Sequence, residues 1–115
     1  MIRRLQIGPR MSQAVIHGDA VYLAGQVAAD PTGDVGSQTR QILDAIDTLL
    51  AEAGSDKTRI LSATIYLADI STFSEMNSVW DAWVPAGHTP ARATVEARLA
   101  APAFKVEIQI IAARV

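Results

Sequence analysis

Arg92 and Glu107 are the two ionisable residues whose settings could do chemistry. Arg92 opens the alternating run RATVEARL directly after the turn-forming GHTPA, and Glu107 interrupts the apolar run FKVEIQIIAA. A guanidinium at a strand's start can take a carboxylate through two parallel hydrogen bonds. A carboxylate held among apolar neighbours can orient a water or carry a proton. Together they would suit a small organic acid as ligand. Each residue also has an ordinary role open to it. Arg92 could be a surface charge or a rim salt bridge. Glu107 could pair across strands with Arg98, or along its own face with Lys105. Spacing alone does not separate these alternatives.

Other polar residues carry weaker signals. His17 and His88 lack partners at metal-ligand spacing, so no metal site is expected. Ser12, Ser62 and Ser71 have no nucleophile-elbow context. Gly33 and Gly36 belong to a turn and not to a phosphate-cradling loop. The chain has no cysteine, which removes thiolate chemistry and disulfides and fits a reducing compartment. Its net charge is -2 with both signs interspersed, so no basic stripe favours nucleic acid. No segment is long and apolar enough to span a bilayer, and no apolar run of signal length follows Met1-Ile2-Arg3-Arg4. These features predict one cytoplasmic domain over residues 1–115 with no membrane partner.

The elements that must position Arg92 and Glu107 follow from periodicity. Ile42, Ala45, Ile46, Leu49, Leu50 and Ala53 form one stripe of a helix over residues 37–53, closed by Gly54. Phe73, Met76, Trp80 and Trp83 form the stripe of a second helix over residues 72–84, where Thr72 and Glu75 have capping-box spacing. Asn77 lies beside that stripe and could reach a cleft, although a solvated polar residue is the commoner case on a helix. Strands are expected at 2–6, 14–17, 20–27, 59–68, 91–99 and 104–113, with a hairpin at Gly18-Asp19. The result is an α+β domain: a mixed five- to six-stranded sheet with both helices on one face.

In the strand at 59–68, Leu61, Ala63, Ile65 and Leu67 share one face, and Ile60, Ser62, Thr64 and Tyr66 the other. The last two strands are separated only by AAPA and are expected to be antiparallel neighbours. Arg92, Thr94, Glu96 and Arg98 would then meet Lys105, Glu107 and Gln109 on the face away from the helices. That face is only partly polar, so a second copy of the chain is its expected cover.

In order and spacing, VYLAGQVA, GDVGSQTRQILDAIDTLLAEAGSDKTRILSATIYLAD, FSEMNSVWDAWV, PARATVEARL and KVEIQIIA resemble the Rid family, also called YjgF-like or endoribonuclease L-PSP. The resemblance implies a fold like that of bacillary-type chorismate mutase. It also implies a homotrimer that binds small carboxylates in clefts between subunits, without cofactor or metal. The implied activity is hydrolysis of 2-imino or enamino acids to 2-oxo acids and ammonia. Arg92 falls on the family's carboxylate-binding arginine and Glu107 on the acidic residue that positions water. Gly25 would bring backbone close to the ligand, Asn77 matches a helix asparagine, and backbone at Ala93 and Thr94 would complete the site. Met11 stands near the position of a cleft tyrosine, Ala24 where a Ser or Thr often precedes Gly-Gln, and Thr94 where a Cys or other small residue follows the arginine. Arg92 and Arg98 are also one residue closer than the corresponding pair. These departures leave open a non-catalytic module that binds 2-oxo acids. An endoribonuclease, suggested by the family's older name, is the weakest alternative.

Overall fold

Alternating and helical periodicities resolve into six strands and two principal helices in the computed structural model, which describes residues 1–115. The strands are β1 (Ile2–Ile7), β2 (Ser12–His17), β3 (Ala20–Leu23), β4 (Ile60–Leu67), β5 (Ala91–Glu96) and β6 (Val106–Ala113). The helices are α1 (Val35–Glu52) and α2 (Phe73–Trp83), with single 3-10 turns at Lys57–Arg59 and Ile70–Thr72. One sheet runs in the order β1-β2-β3-β6-β4-β5. The β4–β5 pair is parallel, as a connection through α2 requires, and the other pairs are antiparallel. The expected α+β architecture with a mixed sheet is therefore observed.

A single face of the sheet is buried. Ala14, Ile16, Val21, Leu23, Ala63, Ile65, Leu67, Val106, Ile108, Ile110 and Ala112 pack with the α1 stripe and with Met76 and Trp80 of α2. Burying each large apolar side chain stabilises the fold by about 1.5–3 kcal/mol. The opposite face keeps Tyr22, Leu61 and Val95 well exposed.

Local chemistry sets the boundaries. Asp34 caps α1, its side chain accepting from Ser37 N at 2.8 Å, so the helix starts two residues before the apolar stripe predicts. Gly54, at φ +79, follows the helix in the left-handed region. Thr72 makes no side-chain cap bond, so the expected capping box does not form. Glu75 instead accepts from Gly36 N at 2.9 Å. That amide is a first-turn donor of α1 with no partner within its own helix, so the acid ties the two helices together.

Two expectations about the sheet are overturned. Leu61 does not share a face with Ala63, because the register shifts between Ile60 and Ser62. The extra residue flips Leu61 outward, 55% exposed, and leaves Ile60 buried. Nor are β5 and β6 neighbours. Both edges of β6 are already paired, with β3 and β4, so β5 takes the free edge of β4. The short 97–105 connection passes over the end of β4 rather than forming a hairpin.

Gln38 fixes the entry to β6. Fully buried, it donates to Pro31 O and Ala103 O at 3.0 Å and accepts from Lys105 N at 3.0 Å. The loop before α1 is thereby clamped to the residues that lead into Glu107.

Candidate active site

Arg92 sits on the edge strand β5 with its side chain toward the helices. Its register partner on β4 is Ala63, and Thr94 pairs with Ile65, both buried on the helix side. Arg92 Nη1 donates to Asn77 Oδ1 of α2 at 2.8 Å. The guanidinium carbon lies 5.3 Å from the Trp80 ring centroid and 5.7 Å from that of Phe73. Two aromatic faces and one amide therefore fix the fork while leaving it other donors for a ligand. Phe73 is 39% exposed and forms part of this cradle rather than the fully buried stripe that its spacing predicts. Next along the same face, Thr94 Oγ1 is buried and has no hydrogen-bond partner. Ala93, with the opposite parity, is exposed on the far face.

Glu107 occupies that far face. It pairs in register with Tyr66, and its β6 neighbours Val106 and Ile108 point into the core. β3 ends at Leu23, and the chain rejoins β6 through Gln26, whose N donates to Ile108 O at 2.8 Å. Tyr22 pairs with Ile111 and Gln26 with Ile108, so the β3 side carries one extra residue between these points. The bulge turns Gly25 toward Glu107. A Cβ on Gly25 would run into Glu107 Oε2 and lie 3.0 Å from its Cδ, so glycine is what allows this close approach. Gln26 braces the bulge, its Nε2 donating to Gln13 Oε1 and Ala24 O, both at 2.9 Å.

Gly25, Tyr66, Arg98, Glu107 and Gln109 line a cavity of ≈ 340 Å³. Gly25 also borders an adjacent cavity of ≈ 440 Å³ with Met11, Gln13 and Gln26. Gly25 and Glu107 thus share one cavity on the far face, and Met11 borders the neighbouring cavity, whose wall includes Ala45, Thr48 and Leu49 of α1. Arg92, Asn77 and Thr94 lie apart from both on the helix side of β5. The expected meeting of the Arg92 and Glu107 rows within one chain does not occur, because register with β4 turns Arg92 to the helix side. Tyr66 is not among the residues that the sequence nominates for the site. Arg98 was expected to follow Arg92's parity, but β5 stops at Glu96 and Arg98 turns to the Glu107 side. The shared parity of Tyr66 with Thr64 was the available signal.

Electrostatics single out carboxylates elsewhere. Asp30, Asp56 and Asp69 are held below the ordinary carboxylate range, chiefly by hydrogen bonds from the Thr32, Thr58 and Ser71 hydroxyls and then from the same residues' amides. All three are exposed turn residues. The chain's one ion pair joins Arg59 and Asp56 at 3.9 Å, so the expected alternative of a Glu107–Arg98 pair is not formed.

The family model for endoribonuclease L-PSP matches residues 1–114. A RutC family protein of Haemophilus ducreyi is 48% identical over 113 residues, covering 98% of this chain and 97% of that protein. The crystal structure of NMB1025 from Neisseria meningitidis, a member of the YjgF protein family, superimposes with a TM-score of 0.98 at 49% identity, covering 100% of this chain and 96% of that one. The bovine 2-iminobutanoate/2-iminopropanoate deaminase is 37% identical over 112 residues, covering 92% of this chain and 80% of that protein. With sequence similarity over nearly its full length and the matching fold, the chain belongs to the endoribonuclease L-PSP family, which includes the Rid, YjgF and RutC proteins.

Proposed function

We propose that the protein is a homotrimer that hydrolyses 2-imino acids to 2-oxo acids and ammonia in clefts between subunits. The observation that carries this is the separation of two complementary half-sites onto opposite faces of one sheet. Arg92 with Asn77 offers a held fork for a carboxylate, and Glu107 over Gly25 offers a base with its carboxylate free of protein partners. One subunit's fork can meet a neighbour's carboxylate when copies pack around the sheet face that exposes Tyr22, Leu61 and Val95. The trimer is the assembly implied by the family resemblance, and the activity is that in the bovine relative's name.

In the proposed reaction, Arg92 grips the substrate carboxylate and so places the imine carbon. Glu107 takes a proton from water as the oxygen bonds to that carbon, then returns it to nitrogen. The C–N bond breaks, C=O forms, and both water protons depart on ammonia without any redox change. The aromatic pair behind Arg92 keeps the fork from collapsing onto its own chain.

The test generates 2-iminopropanoate or 2-iminobutanoate with an amino-acid oxidase and follows imine lifetime by semicarbazide trapping. Wild type should shorten that lifetime, and Arg92→Ala should return it to that of buffer. Equal decay with wild type, Arg92→Ala and buffer would remove the deaminase reading. A second reading, binding without turnover, is favoured by Met11, which brings no hydroxyl to the cavity beside Gly25. A 2-oxo acid at 100 times its Kd should then raise stability by about 2.7 kcal/mol with no hydrolysis.

A further inference from the structure

We infer that Tyr66 is a third catalytic residue, its phenol holding the attacking water together with Glu107. The inference rests on the proposed imine hydrolysis. Tyr66 and Glu107 are direct partners across β4 and β6, so their side chains leave the same face with Cβ atoms about 4.5–5.5 Å apart. Both line the ≈ 340 Å³ cavity that Gly25 also borders. Tyr66 is half-buried. Among the side-chain hydrogen bonds, from Gln6–Glu52 to Lys105–Gly33, none engages its phenol or the Glu107 carboxylate. Two free polar groups on adjacent strands therefore face one space.

Their chemistry is complementary. The ionised carboxylate only accepts, and the phenol both donates and accepts. A water between them can donate one proton to Glu107 while its oxygen accepts from the phenol. As Glu107 removes the proton, the same hydroxyl can turn to donate to the nitrogen that must leave. The phenol ends each cycle protonated, so the overall balance of hydrolysis is unchanged. It also supplies a hydroxyl beside Gly25, where Met11 of the adjacent cavity brings none. Arg98, on the same wall, is the competing candidate: it could orient the water in place of the phenol.

Tyr66→Phe removes one oxygen and keeps the ring, so its melting temperature should match wild type. With 2-iminopropanoate, kcat should fall about tenfold or more while KM stays within about twofold, the signature of an interaction made at the reacting atoms. Arg98→Met removes the competing donor from the same cavity and should lower kcat less than Tyr66→Phe does. Unchanged kcat in Tyr66→Phe, or a loss carried by Arg98→Met alone, overturns the assignment. If wild type hydrolyses no imine, the deaminase reading fails separately and pyruvate binding decides for Tyr66. A Kd raised about fivefold or more in Tyr66→Phe supports a phenol aimed at the ligand's reacting carbon, and an equal Kd overturns it.

Discussion

Arg92 and Glu107 lie on opposite faces of the same sheet: Arg92 is in register with Ala63 on the helix side, and Glu107 with Tyr66 on the other. Strand pleating makes this separation rigid, since neither residue can change face without a slip that would expose the core. A site that uses both must draw them from two chains. The functional account follows from this constraint.

Asn77 is the only side chain that hydrogen-bonds the Arg92 fork, at 2.8 Å. Asn77→Ala should leave the fold within about 1 kcal/mol of wild type, yet lower kcat/KM about tenfold, because hydrogen bonds to charged groups contribute about 1.5–3 kcal/mol. Steady-state kinetics beside a melting curve separate the two effects.

Gly25 is not in the left-handed region, so Gly25→Ala meets no backbone penalty. Its new methyl would displace the Glu107 carboxylate, the flexible end of a side chain. Turnover should drop about tenfold or more with stability changed by less than about 1 kcal/mol. Full activity in this variant would show that the Glu107 position observed here is not the working one.

The sequence disclosed the packing more readily than the pairing. The stripe from Ile42 to Ala53 and the alternation from Val106 to Ala112 are period signals, and both faces appear as expected. Leu61 was misplaced because a bulge breaks the period and leaves no mark in composition. β5 was misplaced because a short connection suggests adjacency, whereas β6 had both edges occupied by strands distant in sequence. The same error put Arg92 on the wrong face and hid its contacts with Phe73 and Trp80. Arg92, Asn77, Gly25 and Glu107 could be nominated from family resemblance, but their division between two faces depends on register, which no residue spacing encodes.

Thr94 Oγ1 is buried without a partner beside Arg92. Thr94→Val replaces that hydroxyl with a methyl of similar shape. Stability should rise by about 1 kcal/mol, since an unsatisfied buried polar group costs about 1–3 kcal/mol. Affinity for 2-oxo acids should fall if the hydroxyl's partner is the ligand. Calorimetric binding and thermal melts give both quantities.

The turn carboxylates should resist acid longer than ordinary ones. Asp30, Asp56 and Asp69 have folded-state pKa values below their unfolded ones, so the stability they contribute is present above the unfolded carboxylate pKa. It is lost as pH falls through the depressed folded values. NMR titration should find these three carboxyls protonating at lower pH than an unperturbed Asp. In Thr32→Val, Thr58→Val and Ser71→Ala, the corresponding Asp should move back up.

Subunit mixing tests the central claim most directly. Arg92→Ala and Glu107→Ala, each inactive alone, are unfolded together in equal amounts and refolded as mixed assemblies. In a cyclic trimer with sites shared between neighbours, every mixed assembly regains one intact site, so about a quarter of wild-type imine hydrolysis should return. If verified mixed trimers remain as inactive as either parent, the two residues do not meet across subunits and the proposed cleft is wrong.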